Sequence, residues 1–155
     1  MDMTIRLWNL QTGQCQHTLT GHTSLVGILR LSCSHLVSAA ADSTLRIWDP
    51  DTGKLQNILN GHGGAITCFQ HDEAKLVSGS DGTLKLWNLR DGTVIKDLIT
   101  GVTGVWNVVF DGRWCAAASN RDGDTMLDIW DFSNDKDWLE EPSSKMDDEN
   151  SEEEE

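Results

Sequence analysis

Basic residues are scarce in this chain. Twelve lysines and arginines stand against twenty-five aspartates and glutamates in 155 residues. A nucleic-acid reader needs a cationic stripe, and none is present, so no nucleic-acid partner is expected. No apolar run is long enough to cross a bilayer, and no charged-then-apolar leader opens the chain. The expectation is a soluble protein of the nucleus and/or cytoplasm that needs no membrane. Cys15, Cys33, Cys68 and Cys115 form no CxxC pair and join no cluster of metal-binding side chains, which leaves no metal site. They read as reduced and mostly buried thiols. Glycosylation acceptors of the Asn-x-Ser/Thr type are missing. So are a P-loop, a paired-glycine nucleotide fingerprint and an HExxH string; no cofactor is expected.

The acid that is there is unevenly placed. Residues 133–155 carry eleven acids and two bases, a charge of −9, while residues 1–132 carry only −4. That tail reads as a disordered acidic segment, with too little apolar surface to order itself. Within it Ser151 precedes glutamates and resembles a site for an acidophilic kinase.

Repetition governs the rest. Trp8, Trp48, Trp87 and Trp130 each end a strand-like run, at spacings of 40, 39 and 43 residues. Six residues before each stands an aspartate: Asp2, Asp42, Asp81 and Asp124. Gly21-His22 and Gly61-His62 lie 40 apart, and at Gly101-Val102 the histidine is lost. A period near 40 with Gly-His early and Trp-Asp late is the WD-repeat signature. Short alternating runs separated by turn residues predict strands throughout. The fold class is all-β, a WD-repeat propeller of four-stranded antiparallel blades. The expected division is a partial blade at 1–20 (third and fourth strands), blades at 21–60 and 61–100, and a three-stranded last blade at 101–132. Thirteen strands make about three and a quarter blades, so the propeller is incomplete; closed rings typically need 4 to 8.

The marker residues suggest a buried network. A turn aspartate accepts from the imidazole, the imidazole meets a serine hydroxyl, and that hydroxyl accepts from the indole. In the second repeat these are His22, Ser38, Asp42 and Trp48; in the third, His62, Ser78, Asp81 and Trp87. Asp2 and Trp8, and Asp124 and Trp130, are the corresponding pairs in the outer repeats. The same three residue types invite a hydrolase reading. Against it, the set recurs once per blade with a tryptophan, and no oxyanion hole is signalled. The expectation is therefore no enzyme and no catalytic residue. In the last repeat Ala116–Ala118 replace the strand serine. Its turn reads as lengthened, and its blade as less rigid.

Residues 2–132 also carry a specific resemblance, through GHTSLVGILRL, HLVSAAADSTLRIWD, AITCFQHDEAKLVSGSDGTLKLWN and the irregular GVWNVVFDGRWCAAASNRDGDTMLDIWDF. They resemble the C-terminal end of the F-box/WD-repeat substrate receptors of SCF ubiquitin ligases, of the fungal cell-division-control type. The resemblance implies an F-box that docks the ligase core, followed by an eight-bladed propeller whose top face grips phosphorylated degrons. The partners it implies are phosphorylated proteins and the SCF core. Phosphate capture suits arginine, whose fork matches phosphate oxygens. In the family such arginines stand five residues after the Gly-His histidine, where this chain has Gly27 and Thr67, with Trp106 or Asn107 in the last blade. Another precedes the turn aspartate, where Ala41 and Ser80 stand, and only Arg121 lies in a comparable turn. The principal degron pocket is thus expected on blades absent from this sequence. Leu25, Gly27, Ala65, Thr67, Trp106, Asn107 and Arg121 remain as candidate top-face contacts. Trp106 reads either as a channel-lining contact or as a packed core residue. A WD scaffold of an unrelated corepressor, trafficking or signalling complex is the alternative function.

Overall fold

The computed structural model describes residues 2–133; the acidic-tail and Ser151 readings lie almost wholly outside them. Thirteen strands form four antiparallel sheets. The first sheet pairs β1 (Ile5–Trp8) with β2 (Cys15–Leu19). The second runs β3 (Val26–Leu31), β4 (Leu36–Ala40), β5 (Thr44–Trp48) and β6 (Leu55–Asn60). The third runs β7 (Ile66–His71), β8 (Lys75–Ser80), β9 (Gly82–Asn88) and β10 (Val94–Val102). The last holds β11 (Gly104–Asp111), β12 (Trp114–Arg121) and β13 (Asp124–Asp131). This is an open arc of an incomplete WD propeller.

Alternation sets the packing. In β5 Leu45 and Ile47 are buried while Thr44 and Arg46 are only half-buried, as a pleated strand with one covered face requires. Cores form between blades rather than within them. Ile5 and Leu19 of the first sheet pack with Leu36 and Trp48 of the second. Val37, Leu45 and Ile47 pack with Phe69, Leu76 and Trp87 of the third. Val77, Leu84 and Ile99 pack with Val105, Phe110 and Cys115 of the last. The third and last sheets approach so closely that a Cβ at Gly79 would stand 2.8 Å from Val105. An amide clasp fastens the same pair: Gln70 Nε2 donates to the Phe110 carbonyl (2.8 Å), and Phe110 N–H donates to Gln70 Oε1 (3.1 Å).

The residue after each tryptophan shapes the lower turns. Asn9 and Asp49 each accept two backbone N–H groups with one side-chain oxygen, and Asn88 accepts one from Arg90. Four residues on, Gly13, Gly53 and Gly92 take positive φ (69°, 68°, 74°), which glycine adopts without a Cβ clash.

Three expectations need correction. Strand β10 continues through Gly101-Val102, with Val102 opposite Gly82, so where the histidine is lost the loop becomes strand. The last blade's turn is not lengthened. Arg121 pairs with Asp124, leaving a two-residue hairpin, Asp122-Gly123, with φ of 54° and 93°. Positive φ at both central residues marks a type I′ turn, whose twist matches the strands. The SNRDGD stretch is therefore ordered strand up to Arg121. Finally, only Cys68 and Cys115 are buried; Cys15 and Cys33 are exposed.

Candidate functional site

One edge of the arc, here called the top, carries the β4–β5, β8–β9 and β12–β13 turns and the loops leading to β3, β7 and β11. In the second blade the marker residues converge beneath it. Trp48 Nε1–H donates to Ser38 Oγ (2.9 Å), and Ser38 Oγ lies 2.8 Å from His22 Nε2. His22 Nδ1 lies 2.9 Å from Asp42 Oδ2. The carboxylate can only accept, so His22 carries its proton on Nδ1, and Nε2 accepts from the serine. Asp42 also accepts from Thr23 N–H, Thr44 N–H and Thr44 Oγ1. Burial opposes its charge, but these donors outweigh burial and lower its pKa to about 2. Burial pushes the His22 pKa down, against the pull of Asp42.

The third blade repeats only part of this. Trp87 Nε1–H donates to Ser78 Oγ (2.8 Å), which lies 2.7 Å from His62 Nε2. His62 Nδ1, however, faces Ser80 Oγ (2.8 Å) and Thr83 Oγ1 (2.9 Å), not Asp81. The cause is one residue of turn. Four positions separate Ser38 from Asp42, but only three separate Ser78 from Asp81. Ser80 therefore pairs directly with Thr83, and the tight turn turns Asp81 outward, where it is exposed. Hydroxyls replace the carboxylate, and burial, with the Lys85 charge nearby, lowers the His62 pKa to about 4. Sequence reasoning missed Ser80; the shortened serine-to-aspartate count was the available signal.

The outer repeats build no such network. Asp2 is exposed, accepts from Thr4 and pairs with Arg6; Trp8 is 54% exposed. Asp124 is exposed at its hairpin, and Trp130 is half-buried against the core shared with the third blade. Ala117 stands opposite Asp128 as Ser38 does opposite Arg46, so no hydroxyl stands at the serine position. Ser119 Oγ is buried without a partner.

Ser38 and Ser78 are fully buried, and each accepts an indole N–H, which leaves no exposed nucleophile in either set.

The top-face candidates acquire an order from strand pairing. Each innermost strand contains a bulge: between Val26 and Ile28, between Ile66 and Cys68, and between Val105 and Asn107. The bulged residues, Gly27, Thr67 and Trp106, are thus structurally equivalent, and all three are exposed. Bulges re-aim side chains, often beside functional sites. Trp106 is 54% exposed, so it is not packed in a core among the described residues. Asn107 departs from it and lines a separate cleft with Ala116–Ala118 and Leu127. Leu25 and Ala65 are exposed on the loops ahead of the bulges, and Arg121 is exposed at the end of β12. Trp106, Thr67 and Asp81 share a cleft of about 380 Å³ between the third and last blades.

Known proteins share this architecture. The family described as WD domain, G-beta repeat matches residues 13–49 and 53–88. Cell division control protein 4 of Candida albicans is 55% identical over 139 residues, covering 86% of this chain; the chain spans 20% of that relative. Regulator of rDNA transcription protein 13 of Saccharomyces cerevisiae is 36% identical, with 86% of this chain and 84% of the relative covered. The crystal structure of the computationally designed Ika4 protein superposes with a TM-score of 0.76 at 30% identity, covering 84% of this chain and 80% of that one. The chain belongs to the WD-repeat proteins, and over most of its length it is similar to cell division control protein 4.

Proposed function

We propose that this arc is part of the substrate-recognition subunit of an SCF-type ubiquitin ligase. In that role it is a protein-binding scaffold that presents phosphorylated targets for ubiquitination and performs no chemistry. The observation that carries the reading is the 55% identity to cell division control protein 4 of Candida albicans over 139 residues. The bulge positions Gly27, Thr67 and Trp106 include no cation, so phosphate capture is assigned to other blades of the complete propeller. Contact with the ligase core is assigned to an F-box outside these residues, and the working place to the nucleus and/or cytoplasm. A chimera tests the reading. Residues 2–132 replace the matching stretch of the Candida albicans relative, and binding of a doubly phosphorylated degron peptide is titrated. The expected result is phosphate-dependent binding within about threefold of the parent. A folded chimera that has lost it overturns the proposal.

A second reading, a WD scaffold of an unrelated complex, is favoured by one observation. A relative of similar length carries a name that refers to rDNA transcription.

A further inference from the structure

The cleft between the third and last blades holds one charge that nothing among the described residues answers. Asp81 was turned out of the histidine network by its shortened turn, and it forms no ion pair or side-chain hydrogen bond through its carboxylate among the described residues. Glycines flank it. A Cβ at Gly104 would stand 3.5 Å from Oδ1, and one at Gly64 would stand 3.6 Å from Oδ2, so the missing side chains leave the carboxylate uncovered. No lysine or arginine lines the cleft; its lining includes Thr67, Thr103, Asn120 and Trp106 beside Asp81. The Thr67 hydroxyl is already spent on the Val105 and Gly79 carbonyls. What remains open is a carboxylate and an exposed tryptophan.

We propose that this cleft is a binding site for an arginine side chain of a partner protein, with Asp81 accepting the guanidinium fork and Trp106 stacking on its plane. Guanidinium suits both elements. Its N–H pairs match the two carboxylate oxygens, and its planar charge rests on an aromatic face better than a strongly hydrated ammonium does. A phosphate group is the wrong ligand here, because Asp81 repels it. The site is therefore distinct from any phosphate pocket and stands whether or not the ligase reading holds. Blade two offers no counterpart: Asp42 is bound up with His22, and the bulge residue is Gly27.

The test labels the full chain with 5-fluorotryptophan. The Trp106 fluorine resonance is assigned by its loss in Trp106→Phe. Acetyl-arginine amide is titrated in, with acetyl-citrulline amide as the neutral isostere. The expected result is a saturable shift of the Trp106 resonance with a dissociation constant of about 10–100 mM, the range open to one exposed ion pair plus a cation–π contact. Citrulline leaves the resonance in place, and Asp81→Asn weakens arginine binding at least fivefold. Asp81 lies outside the buried network, so that variant keeps its fold, which the six other fluorine resonances report. Equal shifts with citrulline, unchanged binding in Asp81→Asn, or no saturable shift by about 300 mM each overturn the proposal.

Discussion

The second and third blades carry the same markers and use them differently. In the second, a histidine is held between a serine and an ionised aspartate; in the third, between a serine and two hydroxyls. The tryptophan, the serine and the imidazole are common to both, and one residue of turn decides the rest. A repeat motif therefore specifies which side chains can meet, while the loop length decides which do. The first and last blades extend the contrast, because there the tryptophan survives without the network around it.

The largest effect should come from the element the two inner blades share. Trp87 is 1% exposed and packed between blades. Trp87→Ala should cost about 3–5 kcal/mol, by cavity formation and loss of the indole bond to Ser78. Trp8→Ala, at a half-exposed site, should cost under about 1 kcal/mol. Urea unfolding of both variants measures the difference, and equal losses would mean that the first blade is packed as tightly as the third.

Next comes the contrast between aspartates. Asp42→Ala strips acceptors from His22, Thr23 and Thr44 at once. With part-buried donors left unsatisfied, the expected loss is about 2–3 kcal/mol. Asp81→Ala should stay within about 0.5 kcal/mol, as exposed substitutions do. If the two losses matched, Asp81 would have to reach His62 in solution.

Acid should then separate the blades. The unfolded histidine titrates near 6.5, and His62 in the folded chain near 4. A folded pKa below the unfolded one means that the unfolded chain binds the proton first. Stability is full above pH 6.5 and is lost as pH falls towards 4. In the second blade, a proton on His22 gains an ionised partner in Asp42, which keeps its charge to about pH 2. In the third, only hydroxyls face His62. Amide protection, taken relative to the intrinsic exchange rate at each pH, should therefore fall between pH 6.5 and 4 in β7–β9 before it does in β3–β5. Simultaneous loosening would show that the carboxylate confers no protection.

Much of this was legible in the residues, and the failures have physical causes. Alternation and turn residues located the thirteen strands, because a half-buried strand must alternate. The His22 set could be written from spacing, since strands and turns of standard length bring those positions together. Asp81 misled because its distance to Trp87 is unchanged; the deletion lies on the other side, between Ser78 and Asp81. The bulges could not be read at all. Equivalence of Gly27, Thr67 and Trp106 depends on how each innermost strand pairs with its neighbour, and no local sequence states that. The last hairpin misled by composition: five polar residues and a glycine resembled a loop, whereas Asp-Gly at its centre is the mark of a tight turn.

The smallest effect is also the most direct test of the comparison. Inserting one alanine between Ser80 and Asp81 gives the third blade the serine-to-aspartate count of the second. The aspartate should then swing inward over the imidazole, as Asp42 does over His22. Stability at neutral pH should change little, within about 1 kcal/mol, because one acceptor for the Nδ1 proton replaces another. The titration is what should move. A carboxylate favours the imidazolium, so the His62 pKa should rise from about 4 by at least a unit, read from its ring carbon shifts. The arginine cleft should lose its charge in the same step, and acetyl-arginine amide should no longer shift Trp106. A raised pKa with arginine binding intact would mean that the cleft does not depend on Asp81. An unchanged pKa would mean that turn length is not what sets the two blades apart.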